Sequence, residues 1–298
     1  MNYKAIGVMS GSSLDGIDIV YAHFTSKGPH WEYEIVASEC TPYPDSWKNK
    51  LLHATTLNAY DYLLLHVDYG KHLGEIVKKF ISENSLEYKV QLIASHGHTV
   101  FHAPHQGLTH QLGEGAAIAA TTGIPVVSDL RTMDVAFGGQ GAPIVPIGEK
   151  KLFPDHSLFL NIGGIANLSA HLDTVVGYDV CPANRVLNIL AEKEGHSYDD
   201  KGQIAKGGKI ESELLAKLNR LEYYEKKFPK SLSNAFAIDH IIPLLNEHHV
   251  SNADLLCTYT EHIAQQISMA IKKVLAVLFG ADIFKLIQNS KVLIGFDF

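Results

Sequence analysis

Two short polar turns and one acid carry the chemistry this sequence can offer. The first turn, SGSSLDGID at residues 10–18, puts Gly11, Ser12, Ser13 and Gly16 where small side chains let backbone N–H groups approach a phosphate. Asp15 and Asp18 add carboxylates there, which makes chemical sense if Mg2+ lies between them and the phosphate. The same residues also read as a plain hairpin, since Asp-Gly is a strong turn signal. The G-K-[ST] ending of a Walker loop is absent. The second turn, NIGGIAN at residues 161–167, has the same small-residue chemistry in Gly163 and Gly164, and Asn161 brings an amide that can donate to oxygen ligands. Asp179 follows the apolar run VVGY and precedes Pro182, which places it near a strand end and close to a helix N-terminus. That position suits a general base and equally suits a helix cap.

A third cluster is rich in imidazoles. SHGHTVFHAPHQGLTH holds His96, His98, His102, His105 and His110, and a His-x-His pair on a strand can place two rings on one face. A zinc-dependent hydrolase is the chemistry this proposes. A catalytic zinc site needs three protein ligands with a water, and neither H-E-x-x-H nor an equivalent helical pair is present. The preferred reading is a polar, sugar-facing loop. GGQGAP at residues 138–143 surrounds Gln140 with glycines and reads either as a flexible segment that brings an amide to a ligand or as a surface loop.

The elements that must position these residues alternate in type. IGVMS, IDIVYAHF and WEYEIVASE predict three antiparallel strands with short links. A helix is expected over residues 58–80, with Leu63, Val67, Leu73, Ile76, Val77 and Phe80 on its buried face. A strand in VQLIAS, a helix over 115–122 and a strand in IPVVSD complete an α/β lobe. The glycine- and proline-marked stretch 128–146 marks the boundary, which gives lobes at 1–130 and 131–298. LFLNIG, IANLSAHL and VVGYDV open the second lobe as strands, and helices follow near 182–194, 210–221 and 252–279. The opening IGVMSGSSLDGIDIV is echoed in LFLNIGGIANLSAHL, so each lobe begins with a hairpin tipped by small polar residues. Duplicated tips point to a phosphate clamp.

Composition narrows the partners. The 298 residues suffice for two packed domains, with 46% hydrophobic and 19% charged residues typical of a globular protein. A formal net charge of −7 with no Lys/Arg run argues against nucleic acid. Cys40, Cys181 and Cys257 are odd in number and widely spaced, which predicts no disulfide framework. The N-terminus lacks a signal-peptide pattern, and the apolar stretch 269–287 is interrupted by Lys272, Lys273, Asp282 and Lys285, so the expected location is the cytoplasm, with no membrane partner.

Taken together, VMSGSSLDGIDIV, ASHGHTVFH, HQLGEGAAIAATTGIPVVSDLRTMDVAFGGQGAPIVP, LNIGGIANLS and GYDVCPAN resemble, in order and spacing, the anhydro-N-acetylmuramic acid kinases. The resemblance implies a two-lobed actin-like ATPase (ribonuclease H-like) α/β fold, each lobe a mixed sheet of five-stranded type flanked by helices. It implies a homodimer in bacterial cell-wall recycling that uses ATP, Mg2+ and water to turn 1,6-anhydro-N-acetylmuramic acid into N-acetylmuramic acid 6-phosphate. It assigns Gly11, Ser12, Ser13, Leu14, Asp15, Gly16, Ile17 and Asp18, with Asn161, Gly163 and Gly164, to ATP, and Asp15 to the metal. His96, Gly97, Gln140 and Asn184 fall to the sugar, and Asp179 becomes the base that activates the attacking water. The pattern departs from the family at Ser12, where Thr is usual, at His98, where Gln is common, and at Val180-Cys181-Pro182-Ala183, where two glycines are replaced. Family members also continue with a G-G-G-A segment, whereas this chain ends at Phe298. The second lobe is therefore expected to be incomplete, and a weakly active or inactive sugar-binding relic of the kinase is the alternative.

Overall fold

The computed structural model of the chain describes residues 1–11, 14, 16–28, 30–171, 175–233, 235–279 and 292–296. They form two compact units, Met1–Ile144 and Val145–Phe298.

In the first unit β-branched and aromatic runs form β1 (Asn2–Ser10), β2 (Gly16–Lys27) and β3 (His30–Pro42), an antiparallel meander as the short links predict. After α1 (Asp45–Leu52), α2 (Ala59–Glu83) starts at Asn58, whose side chain accepts the Asp61 N–H at 3.0 Å. The helix leads to β4 (Leu92–Ala103), which lies parallel to β1. β5 (Leu108–Leu112) pairs with the end of β4, α3 (Gly115–Thr122) follows, β6 (Val126–Val127) pairs with the start of β4, and α4 (Thr132–Ala136) comes last. The sheet order is β3-β2-β1-β4-β5 with β6 beside β4, six strands where the sequence predicts a five-stranded type. The buried face of α2 differs from the expected one. Leu65, Tyr69, Leu73, Val77 and Phe80 face the core, while Leu63 and Val67 are exposed. Gly70 and Gly74 decide this rotation: a Cβ on Gly70 would come within 2.9 Å of the Glu114 backbone N, so only glycine lets α3 pack this closely.

The second unit begins with α5 (Pro146–Leu152), then β7 (Leu158–Ile162), β8 (Ile165–His171) and β9 (Val175–Pro182). α6 (Asn184–Glu192), α7 (Gln203–Lys206), α8 (Ser212–Asn219), α9 (Ile242–Glu247) and α10 (Asn252–Phe279) follow, and β10 (Val292–Phe296) closes the unit parallel to β7. Its order is β10-β7-β8-β9, four strands among the described residues. Both units thus repeat one plan: an antiparallel three-strand meander, a long helix, and a fourth strand parallel to the first. Each has its own core, around Ile6, Ile17, Tyr69 and Phe80 in one and Leu168, Leu190, Leu256 and Tyr259 in the other.

The expected division at 130/131 and the observed one at 144/145 differ by a segment that is tied backwards. Arg131 donates from Nε to the Gly141 carbonyl at 2.6 Å and from a terminal nitrogen to Thr99 Oγ1 at 2.9 Å. Beyond Val145, Glu149 accepts from Ser169 Oγ and from His171 Nε2 at 2.8 Å, which fastens α5 to β8 of the second unit.

Candidate active site

The base of the first hairpin is a buried ring of hydroxyls. Tyr69 donates to Ser10 Oγ at 2.8 Å, Ser10 lies 2.6 Å from the Tyr43 hydroxyl, and Tyr43 lies 2.5 Å from Tyr69. Each group can donate once and accept once around this ring, so the end of β1 is held without an unpaired hydroxyl. Burial drives the Tyr69 phenol well above its ordinary range, so it stays a donor. Beyond the ring, Ser12, Ser13 and Asp15, the last of them the expected metal ligand, lie outside the described residues. Gly11 is half-buried and Leu14 takes a left-handed φ of 59°. Gly16 begins β2 where a Cβ would sit 2.7 Å from Cys40 Sγ and 3.0 Å from the Thr41 carbonyl, so its small size serves the approach of β3. Ile17 is an anchor in the core, and Asp18 is exposed on β2, opposite Met9 and Cys40.

The imidazole cluster is a hairpin, not a loop. Thr99, Val100 and Phe101 continue β4, and Pro104–Gln106 turn it into β5. Between Val8↔Ser95 and Ser10↔His98, β4 carries one residue more than β1, and Gly97, with φ 69°, absorbs this bulge. The bulge re-aims His96, whose Nδ1–H donates to the Gly97 carbonyl at 2.8 Å. Burial, opposed by that bond and aided by Arg131, holds His96 below its usual range, so it is neutral near pH 7 with Nε2 as an acceptor. The other imidazoles have separate partners: His98 faces Ser10 at 3.3 Å, His102 faces Thr109 at 3.2 Å, and His110 faces Tyr62 at 2.7 Å. Among the described residues no three His, Cys, Asp or Glu side chains converge as a metal site. Gln140 is half-buried in a segment that glycine content reads as flexible, but the segment is pinned. The Gly141 N–H donates to Asp134 at 2.6 Å while its carbonyl takes Arg131.

In the second unit a row of polar residues crosses the sheet. Asn161 on β7 pairs with Asn167 on β8, and Asn167 pairs with Asp179 on β9, so the three share one face. A bulge makes this possible: β9 carries the extra Val180 between the pairs Ala166↔Cys181 and Asn167↔Asp179. The Gly163 and Gly164 carbonyls at the hairpin tip accept the Asn184 and Ala183 N–H groups at 3.0 and 2.9 Å, so the tip closes over the start of α6.

Asp179 itself is 6% exposed. It is held on the open edge of the sheet by the segment 223–232. The Leu232 N–H donates to Asp179 Oδ2 at 2.8 Å, the Asp179 N–H donates to the Lys230 carbonyl at 3.1 Å, and the Tyr223 hydroxyl donates to the Asp179 carbonyl at 2.6 Å. Burial first, and then the Asp179 charge, pushes the Tyr223 phenol far up, so it remains a donor. No sequence motif announces this bracket. Nothing in FPKSL at residues 228–232 marks it as a partner for Asp179, and only the edge position of β9 shows that a strand-like partner is needed there.

The repeated meander with a returning parallel strand, a polar hairpin at the head of each unit and a fixed acid on the third strand of the second unit define an actin-like α/β protein. The sequence model of the anhydro-N-acetylmuramic acid kinases matches residues 3–278, and the chain belongs to that family. An anhydro-N-acetylmuramic acid kinase of Acinetobacter baylyi is 38% identical over 239 residues, covering 76% of this chain and 62% of its own length. One of Pasteurella multocida is 35% identical over 278 residues, covering 88% and 72%. The chain thus spans less than two thirds of the first of these relatives. A hexokinase from Schistosoma mansoni complexed with glucose overlaps all of this chain and 74% of its own at a TM-score of 0.36 and 10% identity.

Proposed function

We propose that this chain is an ATP-dependent kinase that opens 1,6-anhydro-N-acetylmuramic acid with water and phosphorylates it at O6, yielding N-acetylmuramic acid 6-phosphate and ADP. Family membership supports the reaction, and one observation carries the assignment of its base: Asp179 is buried, shares a polar row with Asn161 and Asn167, and is held at its amide, carbonyl and carboxylate. A base must be fixed relative to the proton it takes, and three hydrogen bonds to one residue supply that.

In this mechanism the Asp179 carboxylate takes a proton from water as the water oxygen bonds to the anomeric carbon. The bond from that carbon to the bridging oxygen breaks, and the released O6 oxygen bonds to the γ-phosphorus as ADP leaves. Neutral His96, with Nε2 as an acceptor, Gly97, Gln140 and Asn184 serve the sugar. The residues 11–18 and Asn161, Gly163 and Gly164 serve the nucleotide. Mg2+ fits the donor set of residues 11–18, where exposed Asp18, Asp15 and two serines are hard oxygen ligands, and it would neutralise charge on the transferred phosphoryl group. The protein works in the cytoplasm as a homodimer in this reading, and no described helix is long and apolar enough to cross a membrane.

The test is Asp179→Asn. It should lower turnover by about 10²–10⁴-fold and leave sugar affinity nearly unchanged, as loss of a positioned base does. Turnover equal to that of the unaltered chain would remove Asp179 from the mechanism.

A further inference from the structure

Carboxylates outnumber Lys and Arg 32 to 25 in this chain, so a concavity with several cations and no acid is unexpected. One exists in the second unit. Lys226, Lys230 and Lys273 surround a pocket with Tyr178, Phe228 and Gln266 in its wall, and among the described residues no Asp or Glu lines it.

The lysines are gathered by local structure. Lys230 donates to the Tyr223 carbonyl at 2.8 Å, and Lys273, from α10, donates to the Tyr224 carbonyl at 2.9 Å. These carbonyls are consecutive, so two ammonium groups are drawn to one place. Each has three N–H donors and gives one to a carbonyl. Lys230 also lies 4.2 Å from the Tyr223 ring centre, where the aromatic face steadies the cation without neutralising it. Lys226 at the rim pairs with Glu222 at 3.4 Å, but no described carboxylate pairs with Lys230 or Lys273. Burial first and the neighbouring Lys273 next push the Lys230 ammonium down to about 8. Lys230 is half-buried beside the exposed Lys273, and two like charges with no described counter-charge are a standing cost that a bound anion would relieve.

Two aromatic rings form one side of the pocket. Tyr178 and Phe228 stack at 5.3 Å with a 10° tilt. Tyr178 reaches α10, where its hydroxyl donates to the Ala270 carbonyl at 3.3 Å, whereas the next residue, Asp179, bonds to Leu232. Successive residues of a strand point to opposite faces, so this pocket is separate from the surroundings of the Asp179 carboxylate.

We propose that the pocket binds a tetrahedral oxyanion, either free phosphate or the phosphate group of a monoester, through Lys230 and Lys273 with Lys226 at the rim. Compact ammonium groups suit such a ligand as point charges. The inference is independent of the catalytic reading and needs no turnover to test. Calorimetric titration of the 298-residue chain with inorganic phosphate and, separately, glucose 6-phosphate should show saturable binding. Lys230→Met and Lys273→Met should each weaken it by about tenfold or more, as expected when a charge-assisted bond is lost. Lys273 lies on the exposed side of α10, so its variant keeps the fold and decides the matter if Lys230→Met does not fold. Tighter binding of the ester would identify a phosphorylated metabolite as the occupant, and equal or tighter binding of phosphate would identify the free ion. No saturable binding of either probe, or unchanged affinity in the Lys273→Met variant, would overturn the proposal.

Discussion

Tyr223 shows how much of the fixing of the proposed base, Asp179, is carried by its neighbours. Its hydroxyl donates to the Asp179 carbonyl, and its carbonyl receives Lys230, so it joins both ends of the bracket around the acid. Tyr223→Phe removes that donor without emptying the ring's place in the core. A buried carbonyl left unpaired costs about 1–3 kcal/mol, which denaturant unfolding would register. Turnover should fall several-fold in the same variant, and in an Asp179→Asn background the added loss should vanish, since the two residues act as one unit. Independent, additive losses would mean that Tyr223 only supports the fold. Asp179 was legible as a candidate because an acid after an apolar strand and before a proline is a recognisable arrangement. Its partners were not, because Tyr223 and Leu232 are separated from it by more than forty residues and meet it only when the chain folds.

Among the elements, the packing between α8 and α10 makes a clear demand on pH. His262 on α10 is fully buried, with Nδ1–H donating to Asn219 Oδ1 at 2.7 Å and Nε2 facing the Tyr224 hydroxyl at 3.0 Å. Both bonds are met by the neutral ring, and burial lowers its pKa to about 3, while His102 in the first unit is lowered to about 4 by burial and then by Arg131. In the unfolded chain these imidazoles take up protons near pH 6.5. Between that value and the folded values the unfolded state binds more protons, so stability is fully present above pH 6.5 and declines as pH falls towards 3–4. Urea unfolding at pH 7.5 and 5 should show the loss, and His262→Gln should flatten the dependence. A slope unchanged by that substitution would show that His262 is not its source. β4 makes a second demand, at its bulge. Gly97→Ala places a side chain in a left-handed conformation against Leu112, which costs about 1–2 kcal/mol from backbone strain alone and turns His96 away from its present direction. Sugar affinity should fall with stability in this variant, and an unaltered affinity would exclude His96 from the sugar site. Strands and long helices were legible because β-branched runs and apolar spacing are local signals. The buried face of α2 was not, because Gly70 and Gly74 select it through contact with α3, and apolar spacing alone favoured Leu63 and Val67.

At the scale of the molecule, the echo between IGVMSGSSLDGIDIV and LFLNIGGIANLSAHL marks a true repetition of topology, with the fourth strand returning parallel to the first in each unit. The repetition was visible because hairpin tips keep their small polar residues when the flanking strands change. The boundary between the units was harder to read. Glycine and proline mark 128–146 as irregular chain, but Arg131 and Glu149 decide which unit each part joins, through partners 32 and 22 residues away. In the proposed reaction this chain couples water addition at the anomeric carbon to phosphoryl transfer, with Asp179 as the base. The most direct measurement incubates the chain with ATP, Mg2+ and 1,6-anhydro-N-acetylmuramic acid in ¹⁸O-labelled water. It follows ADP, sugar phosphate and the position of the label at early times. The expected result is equal amounts of ADP and N-acetylmuramic acid 6-phosphate, with the label at the anomeric hydroxyl and absent from the phosphate, and both products nearly lost in Asp179→Asn. ADP formed with labelled inorganic phosphate and no sugar phosphate, or no ADP at all, would contradict it.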